Sequence, residues 1–506
     1  MSRSDNTDGW DAVVIGSGLG GALAAQRLSE AGARVLVLER GRWPHRDEGD
    51  WSPRAILSDL RYRGKTPLSV RQLGDRRFRP VPMNETVGGM SVFYGGASLR
   101  LRPGDFARWP FDYHELEPFY TGAERLLGVH GAAGADPFDP PRSGPYPFPS
   151  IPWSTPAERI RRAGEGLGFR PFPIPLAINF SAPDKPQCVR CNTCDGFPCA
   201  IDAKNDAAGI LRRAEGKGLA VRAGIVVSRL QTRGARVVGA EGIDQGSGET
   251  VFFEAPLFVL AAGALGSPAI LLRSGLAGDG ANALPVGRFL MRHCNAVVAG
   301  LFPFRTNPDQ VFHKQVCFTD FYEEARERDG LAVGVIQDIY TPDVDVVRRA
   351  AGRVTGAFLR RPLVHRLQNL LCVAEDEPDP DNRVSLGAET DAFGMKRIQV
   401  EHRYRKADHD RLQSLVRRAR KILRAAGALA THVWPISSFS HAVGTLRMGN
   451  EAKDAPVGPT GRVRGLDNLF VTDGSTFPAS GGVNPSLTIA AGALRIAEGI
   501  VNRRTS

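Results

Sequence analysis

The sequence predicts an α/β protein: a Rossmann-type dinucleotide-binding domain accompanied by a second domain, interleaved or consecutive with it. Three observations carry this. Residues 11–41, DAVVIGSGLGGALAAQRLSEAGARVLVLERG, read as strand, glycine loop, helix and second strand within about thirty residues. Short strand patterns return at 218–275 and end in a buried, apolar strand, LFVLAAG. A chain of 506 residues also exceeds what one hydrophobic core usually organises.

In the first unit the apolar run Ala12–Ile15 is a buried parallel strand, and Gly16, Gly18 and Gly21 stand at the G-x-G-x-x-G spacing. That spacing provides a tight turn, close approach of backbone to a pyrophosphate, and close helix packing. The helix at about 20–32 then points unpaired N–H groups at the phosphates. Glu39 ends the second strand, where its carboxylate can accept from both ribose hydroxyls, and an acid there disfavours a 2′-phosphate. The candidate nucleotide contacts are therefore Gly16, Gly18, Leu19, Gly20, Gly21, Glu39 and Arg40. Up to this point FAD and NAD are not separated, but no second fingerprint of similar quality provides for another nicotinamide site.

Composition bounds the function. Hydrophobic content of 42% and charged content of 24% describe a globular protein, and 57 Gly with 36 Pro describe a loop-rich one. The net charge of +11 would suit an anionic partner, yet the arginines are scattered among acids without a nucleic-acid motif, so a solvated basic surface is expected. The first ten residues are polar and no apolar run approaches the roughly 18 residues that span a bilayer. A soluble, cytoplasmic protein without a transmembrane segment is the expectation.

Residues 51–80 are arginine-rich and read as loop. A second glycine cluster follows in VGGMSVFYGGASLRLRP at 87–103, where a backbone bare of side chains can lie against a flat or anionic ligand. This segment, with DFARWPFDYHELEPFYTGAERLLGV after it, resembles the flavin-contacting loop and helix of the glucose-methanol-choline (GMC) oxidoreductases. The resemblance implies FAD, contacted by Gly88, Gly89, Met90 and Ser91. Members with covalent flavin have a histidine in this loop; here the matching place holds Phe93, which implies non-covalent FAD.

After a proline- and glycine-rich excursion at 134–156, four of the seven cysteines fall within twelve residues: Cys188, Cys191, Cys194 and Cys199. The C-x2-C-x2-C start is that of an iron–sulfur loop, but the fourth cysteine is displaced and no proline follows it, and four thiolates could equally hold zinc. Free thiols or a local disulfide are the favoured reading, since a flavin suffices for the chemistry; an iron–sulfur cluster is the main alternative.

At 218–275 the alternation in VFFEAPLFVL suits an antiparallel hairpin feeding a buried parallel strand. Val226 and Val227 fit the place where the family's backbone meets adenine, and VLAAGALGSPAILLRSG resembles a GMC signature in which Ala262 and Gly263 let FAD lie close. Residues 286–435 carry fewest motifs and would form the substrate domain. Within them Glu375 could face the substrate but is favoured as a surface acid, and the basic stretch 346–371 reads as a solvated lid helix rather than a docking surface.

The chemistry is placed at the carboxy terminus. HAVGTLRMG at 441–449 resembles the H-x-x-G-T-x-R-M-G segment of GMC enzymes. Alcohol oxidation needs a base for the hydroxyl proton while hydride leaves carbon for the flavin, and His441 suits that task. Asn484, in Val483-Asn484-Pro485, is the neutral donor for the substrate oxygen, and Pro485 favours extended backbone before it. Asp473 and Gly474 match the family's return to pyrophosphate and ribitol, and Thr488 opens a helix beside them.

The expected division is 8–135, 186–290 and 436–506 for the GMC-like FAD-binding domain, interleaved with a sheet-based substrate-binding domain from 136–185 and 291–435. The resemblance implies oxidation of an alcohol, with a lean to sugars and glycosides, and oxygen, a quinone or a redox partner as acceptor. The rivals are a dehydrogenase with a quinone or iron–sulfur partner and a lyase that keeps FAD without redox turnover.

Overall fold

The computed structural model describes residues 9–277, 283–341, 343–344 and 362–505. A five-stranded parallel sheet has the order Leu469–Val471, Leu257–Leu260, Ala12–Ile15, Val35–Glu39, Leu219–Ala223. The first four of these strands are buried at every residue, as continuous apolar runs covered on both faces must be. Parallel neighbours need a crossover, and the helix Leu19–Glu30 supplies the first one. It packs on the helix Ser486–Thr505, where Arg27 meets Glu498 at 2.7 Å. The amino-terminal fingerprint is thereby fastened to the far end of the chain.

Strands Ile225–Arg233, Arg236–Asp244 and Thr250–Phe253 form an antiparallel sheet that leads into Leu257–Leu260, as the alternation at 250–260 predicts. A six-stranded antiparallel sheet has the order Ala430–Pro435, Cys294–Leu301, Leu367–Ala374, Val335–Ile339, Val316–Phe318, Phe172–Pro173. Side chains alternate across it with the period of two that strands impose. Ile336, Leu370 and Cys372 pack towards the helix Lys406–Ala425, whereas Cys317, Leu371 and Val373 join the core of the parallel sheet. Gln337, in register with Leu371 and Cys317, therefore faces the parallel sheet's side.

The arginine-rich stretch at 51–80 is not the loop its composition suggested. Pro53–Leu57 is a short helix, and Leu68–Gln72 and Arg79–Val81 join Arg383–Thr390 and Lys396–His402 in a four-stranded sheet. Its arginines have distant partners: Arg71 shares Glu401 with Arg383, so pairing across 330 residues stabilises a strand that local propensity does not. Of the basic stretch at 346–371, residues 346–361 lie outside the described residues and 367–371 belong to Leu367–Ala374. Among the described residues no helix is long and apolar enough to cross a membrane.

Candidate active site

The amino-terminal glycine loop is shaped by what its residues lack. Gly16 has φ +102°, and a β-carbon there would lie 2.3 Å from the Ala261 carbonyl; at Gly20 it would lie 2.4 Å from the Thr472 carbonyl, and at Gly21 2.0 Å from that of Gly16. Two neighbouring strand ends thus press on the loop, while the β-position of Gly18 faces open space. Gly18 begins the helix without a side-chain cap, leaving its first N–H groups available to an anion, and Leu19 is buried behind it. This uncapped, side-chain-free cradle fits a pyrophosphate.

Glu39, buried at the end of its strand, accepts from the backbone N–H of Ser17 at 3.1 Å, from the Ser17 hydroxyl, and from the Gly41 N–H at 2.7 Å. Burial raises its pKa and these donors oppose the rise. The carboxylate thus clamps the glycine loop, a task that adds to the predicted ribose contact. Ser17 Oγ also accepts from the Gly88 N–H at 3.0 Å, which ties the two glycine clusters together. Arg40 pairs with Glu85 at 2.7 Å.

In the second cluster Gly88 has φ +93°, and a β-carbon on Gly89 would lie 3.3 Å from Gly18 Cα, so the loops stack. Ser91 donates to the Gly88 carbonyl at 2.6 Å and accepts from the Ala207 N–H at 3.0 Å; Met90 beside it is exposed. On the same side, Val227 is buried in its strand, and Gly263, at φ +78°, again fronts open space. Asp473 accepts from the Gly263 N–H at 2.8 Å and from Ser267 and Ser475, while Ser267 Oγ accepts from the Ala262 N–H at 3.0 Å. Burial raises the pKa of Asp473 against these bonds. Gly474 follows in a short 3-10 turn, and Thr488 meets the Tyr120 hydroxyl at 2.8 Å inside the helix that Pro485 precedes. Of these residues Gly16, Ala262 and Asp473 stand just past the carboxyl ends of three parallel strands, and Glu39 ends a fourth.

The segment of His441 lies along the 3-10 turn after Asp473: Gly444, Leu446 and Met448 donate to the carbonyls of Gly474, Ser475 and Thr476 at 3.0, 2.8 and 2.8 Å. His441 packs edge-on against His293, ring centroids 5.1 Å apart. Its Nδ1 is buried without a partner, which leaves Nε2 as the accessible nitrogen. Burial, then the neighbouring His293 and Lys314, push its pKa down to about 3, against the pull of Asp376. The imidazole is neutral at pH 7, the state a base requires. Asn484 Oδ1 accepts from Gln337 Nε2 at 2.6 Å, which turns the amide N–H groups away from Gln337.

Several residues that shape this side were not singled out from the sequence. The loop 480–484 is held by Glu375, which accepts from the N–H groups of Gly481 (3.1 Å) and Ala332 (2.6 Å), and by Tyr322, which accepts from the Gly482 N–H at 2.9 Å and donates to Asp105 at 2.8 Å. Ser480 donates to Asp376 at 2.8 Å, and His293 Nε2 donates to the Gly481 carbonyl at 2.8 Å. Glu375 is 1% exposed, so the surface reading of this acid is wrong: two backbone donors hold it inside. Burial and nearby Asp105 raise its pKa. No local motif marks these residues, because each meets its partner across 43 to 217 positions.

The cysteines do not assemble into a metal centre. Among the described residues no group of three or more His, Cys, Asp or Glu side chains is disposed to hold an ion. Cys191 is exposed beside Thr193, Cys194 is buried, and all four cysteines are free. Burial raises the thiols of Cys188 and Cys194 to about 11 and about 12, so both are neutral as they stand. The iron–sulfur alternative thus finds no support in this arrangement.

Family models described as GMC oxidoreductase match residues 10–295 and 378–493. The 6'''-hydroxyparomomycin C oxidase of Streptomyces lividus is 32% identical over 97% of this chain and 91% of its own length. Paromamine 6'-oxidase of Streptomyces fradiae is 33% identical over 98% of this chain and 93% of its own. A pyridoxine 4-oxidase from Mesorbium loti, known in crystal form, superposes with a TM-score of 0.70 over 97% of this chain and 99% of its own at 22% identity, which speaks for the fold.

Proposed function

The chain belongs to the GMC oxidoreductase family and is an FAD-dependent oxidoreductase of CH–OH groups; from that premise we propose that it oxidises a sugar-type alcohol, with His441 as base and Asn484 as the donor to the reacting oxygen. The two glycine clusters and Asp473 would hold non-covalent FAD, which would supply the hydride acceptor when bound. His441 Nε2 takes the hydroxyl proton, and low basicity in the resting site keeps the ring unprotonated and ready. The Asn484 N–H groups hold the oxygen as negative charge grows on it, and Gln337 fixes the amide's orientation. His293, wedged between His441 and the Gly481 carbonyl, keeps the two segments in step.

The observation that carries the reading is an imidazole held neutral with one accessible nitrogen, on a segment hydrogen-bonded to the turn that follows Asp473. Two relatives named as oxidases of paromamine-type compounds support the sugar-type substrate and favour oxygen as acceptor. Anaerobic reduction of the purified flavoprotein by a panel of sugars, sterols and aliphatic alcohols tests it. Bleaching by a sugar followed by peroxide formation on admitting air is the expected result. Colour that persists across the whole panel would instead favour the lyase reading.

A further inference from the structure

The cysteine-rich segment has a use that needs no metal. It delivers Asp195, whose carboxylate pairs with Lys314, and this ion pair lies directly on the flavin-side glycine cluster: a β-carbon on Gly95 would fall 1.8 Å from Asp195 Oδ1 and 2.0 Å from Lys314 Nζ. Lys314 is 2% exposed and stands 5.9 Å from the centre of the Tyr340 ring. Tyr340 is 5% and Gln337 0% exposed. Three buried polar atoms in this group have no hydrogen-bond partner: Asp195 Oδ2, Tyr340 Oη and Gln337 Oε1. Such groups are costly to bury unless something supplies the missing donors. Gln337 connects the group to Asn484 through its own amide N–H at 2.6 Å, and the charge of Lys314 is felt at His441.

We propose that Asp195, Lys314, Tyr340 and Gln337 form a substrate-binding subsite that recognises the hydroxyl-rich ring of a sugar-type alcohol. The proposal rests on the alcohol-oxidising reading above and adds to it the residues that select the substrate. Asp195 Oδ2 and Gln337 Oε1 lack donors and the Tyr340 hydroxyl can donate or accept, and a ring bearing neighbouring hydroxyl or amino groups offers partners of both kinds. The Lys314 ammonium can in turn donate to a ring oxygen. A plain aliphatic alcohol satisfies none of these atoms. An apolar analogue is disfavoured for the same reason, since a site built for donors rejects ligands that lack them.

The test uses the FAD-loaded enzyme, reduced with dithionite so that binding proceeds without turnover. Calorimetric titration with fructose, glucosamine and paromamine measures affinity for hydroxyl-rich and amino-bearing rings separately. At least one should bind, and Asp195→Asn and Tyr340→Phe should each weaken the tightest by about tenfold. In steady-state assays each variant should lose at least fivefold more kcat/KM with that sugar than with 1-propanol, mainly through KM. Retained flavin content and an unchanged flavin spectrum exclude misfolding, and two independent variants guard against a defect peculiar to one. Simple alcohols that bleach the flavin while no sugar binds, or equal losses with both substrates, would overturn the subsite and leave the alcohol reading standing. Sugars that bind and are weakened by both variants, with no alcohol bleaching the flavin, would sink the alcohol reading and leave the subsite.

Discussion

At the glycine loop between Ala261 and Thr472 the backbone takes its path because side chains are missing, and three β-carbons would each collide with a carbonyl. At the loop 480–484 the backbone takes its path because side chains arrive from elsewhere: Glu375, Tyr322, Asp376 and His293 each hold one of its polar groups. The glycine loop therefore presents bare N–H groups and has no room for added atoms at Gly16, Gly20 and Gly21. The substrate side is a buried polar network in which every member depends on its partners. The difference teaches where each kind of mutation should hurt: addition of atoms damages the first region, removal of atoms the second.

Five experiments probe that contrast. The largest effect is expected from His441→Ala, which should lower the anaerobic rate of flavin reduction by about 10²–10⁴-fold, the usual worth of a positioned base, with FAD content preserved. Asn484→Ala should cost about 10²-fold in the same assay, since it removes one donor to the developing charge. Loss of FAD in either variant would mean that the two regions are not separable. Gly16→Ala is the converse: a β-carbon 2.3 Å from a carbonyl at φ +102° should destabilise the fold by about 3 kcal/mol in thermal unfolding and empty the protein of flavin.

The smallest effects are those of pH. With its folded pKa pushed down to about 3, His441 stays neutral as pH falls, so the acid limb of the reduction rate should lie well below the 6.5 of a free imidazole. A limb near 6.5 would show that the ring is solvated rather than packed. Glu375 runs the other way: its folded pKa is raised, so the unfolded chain ionises first and stability drains as pH rises above about 4.5. Glu375→Gln should flatten that part of the stability profile in pH-dependent thermal melts. An unchanged slope would place the titration elsewhere.

How much was legible follows the same contrast. Gly16, Gly18, Gly21 and Glu39 are close in sequence, and a spacing of glycines is a direct statement about backbone approach. The arginines at 51–80 misled because their partners, Glu401 for Arg71 and Asp47 for Arg61, cannot be inferred from composition. Glu375 misled for a similar reason, as an acid in a polar stretch gives no sign that the backbone of Ala332 and Gly481 awaits it. The spacing of the four cysteines left a ligand set open beside the favoured free thiols, and spacing alone does not say how the side chains are disposed; among the described residues they form no group arranged to hold an ion.

By itself the sequence determined the α/β class and, through resemblance, the family, and it nominated the glycine cradle and the segments bearing His441 and Asn484. Those are encoded locally, in the period of apolar strands and in residues without side chains. Only the tertiary structure decided that His293 and Gln337 brace the two candidate groups, that Glu375 is internal, and that the cysteine-rich segment sets Asp195 against Lys314. Each of those facts is a contact between strands or loops brought together by folding, and no short window of residues contains both partners.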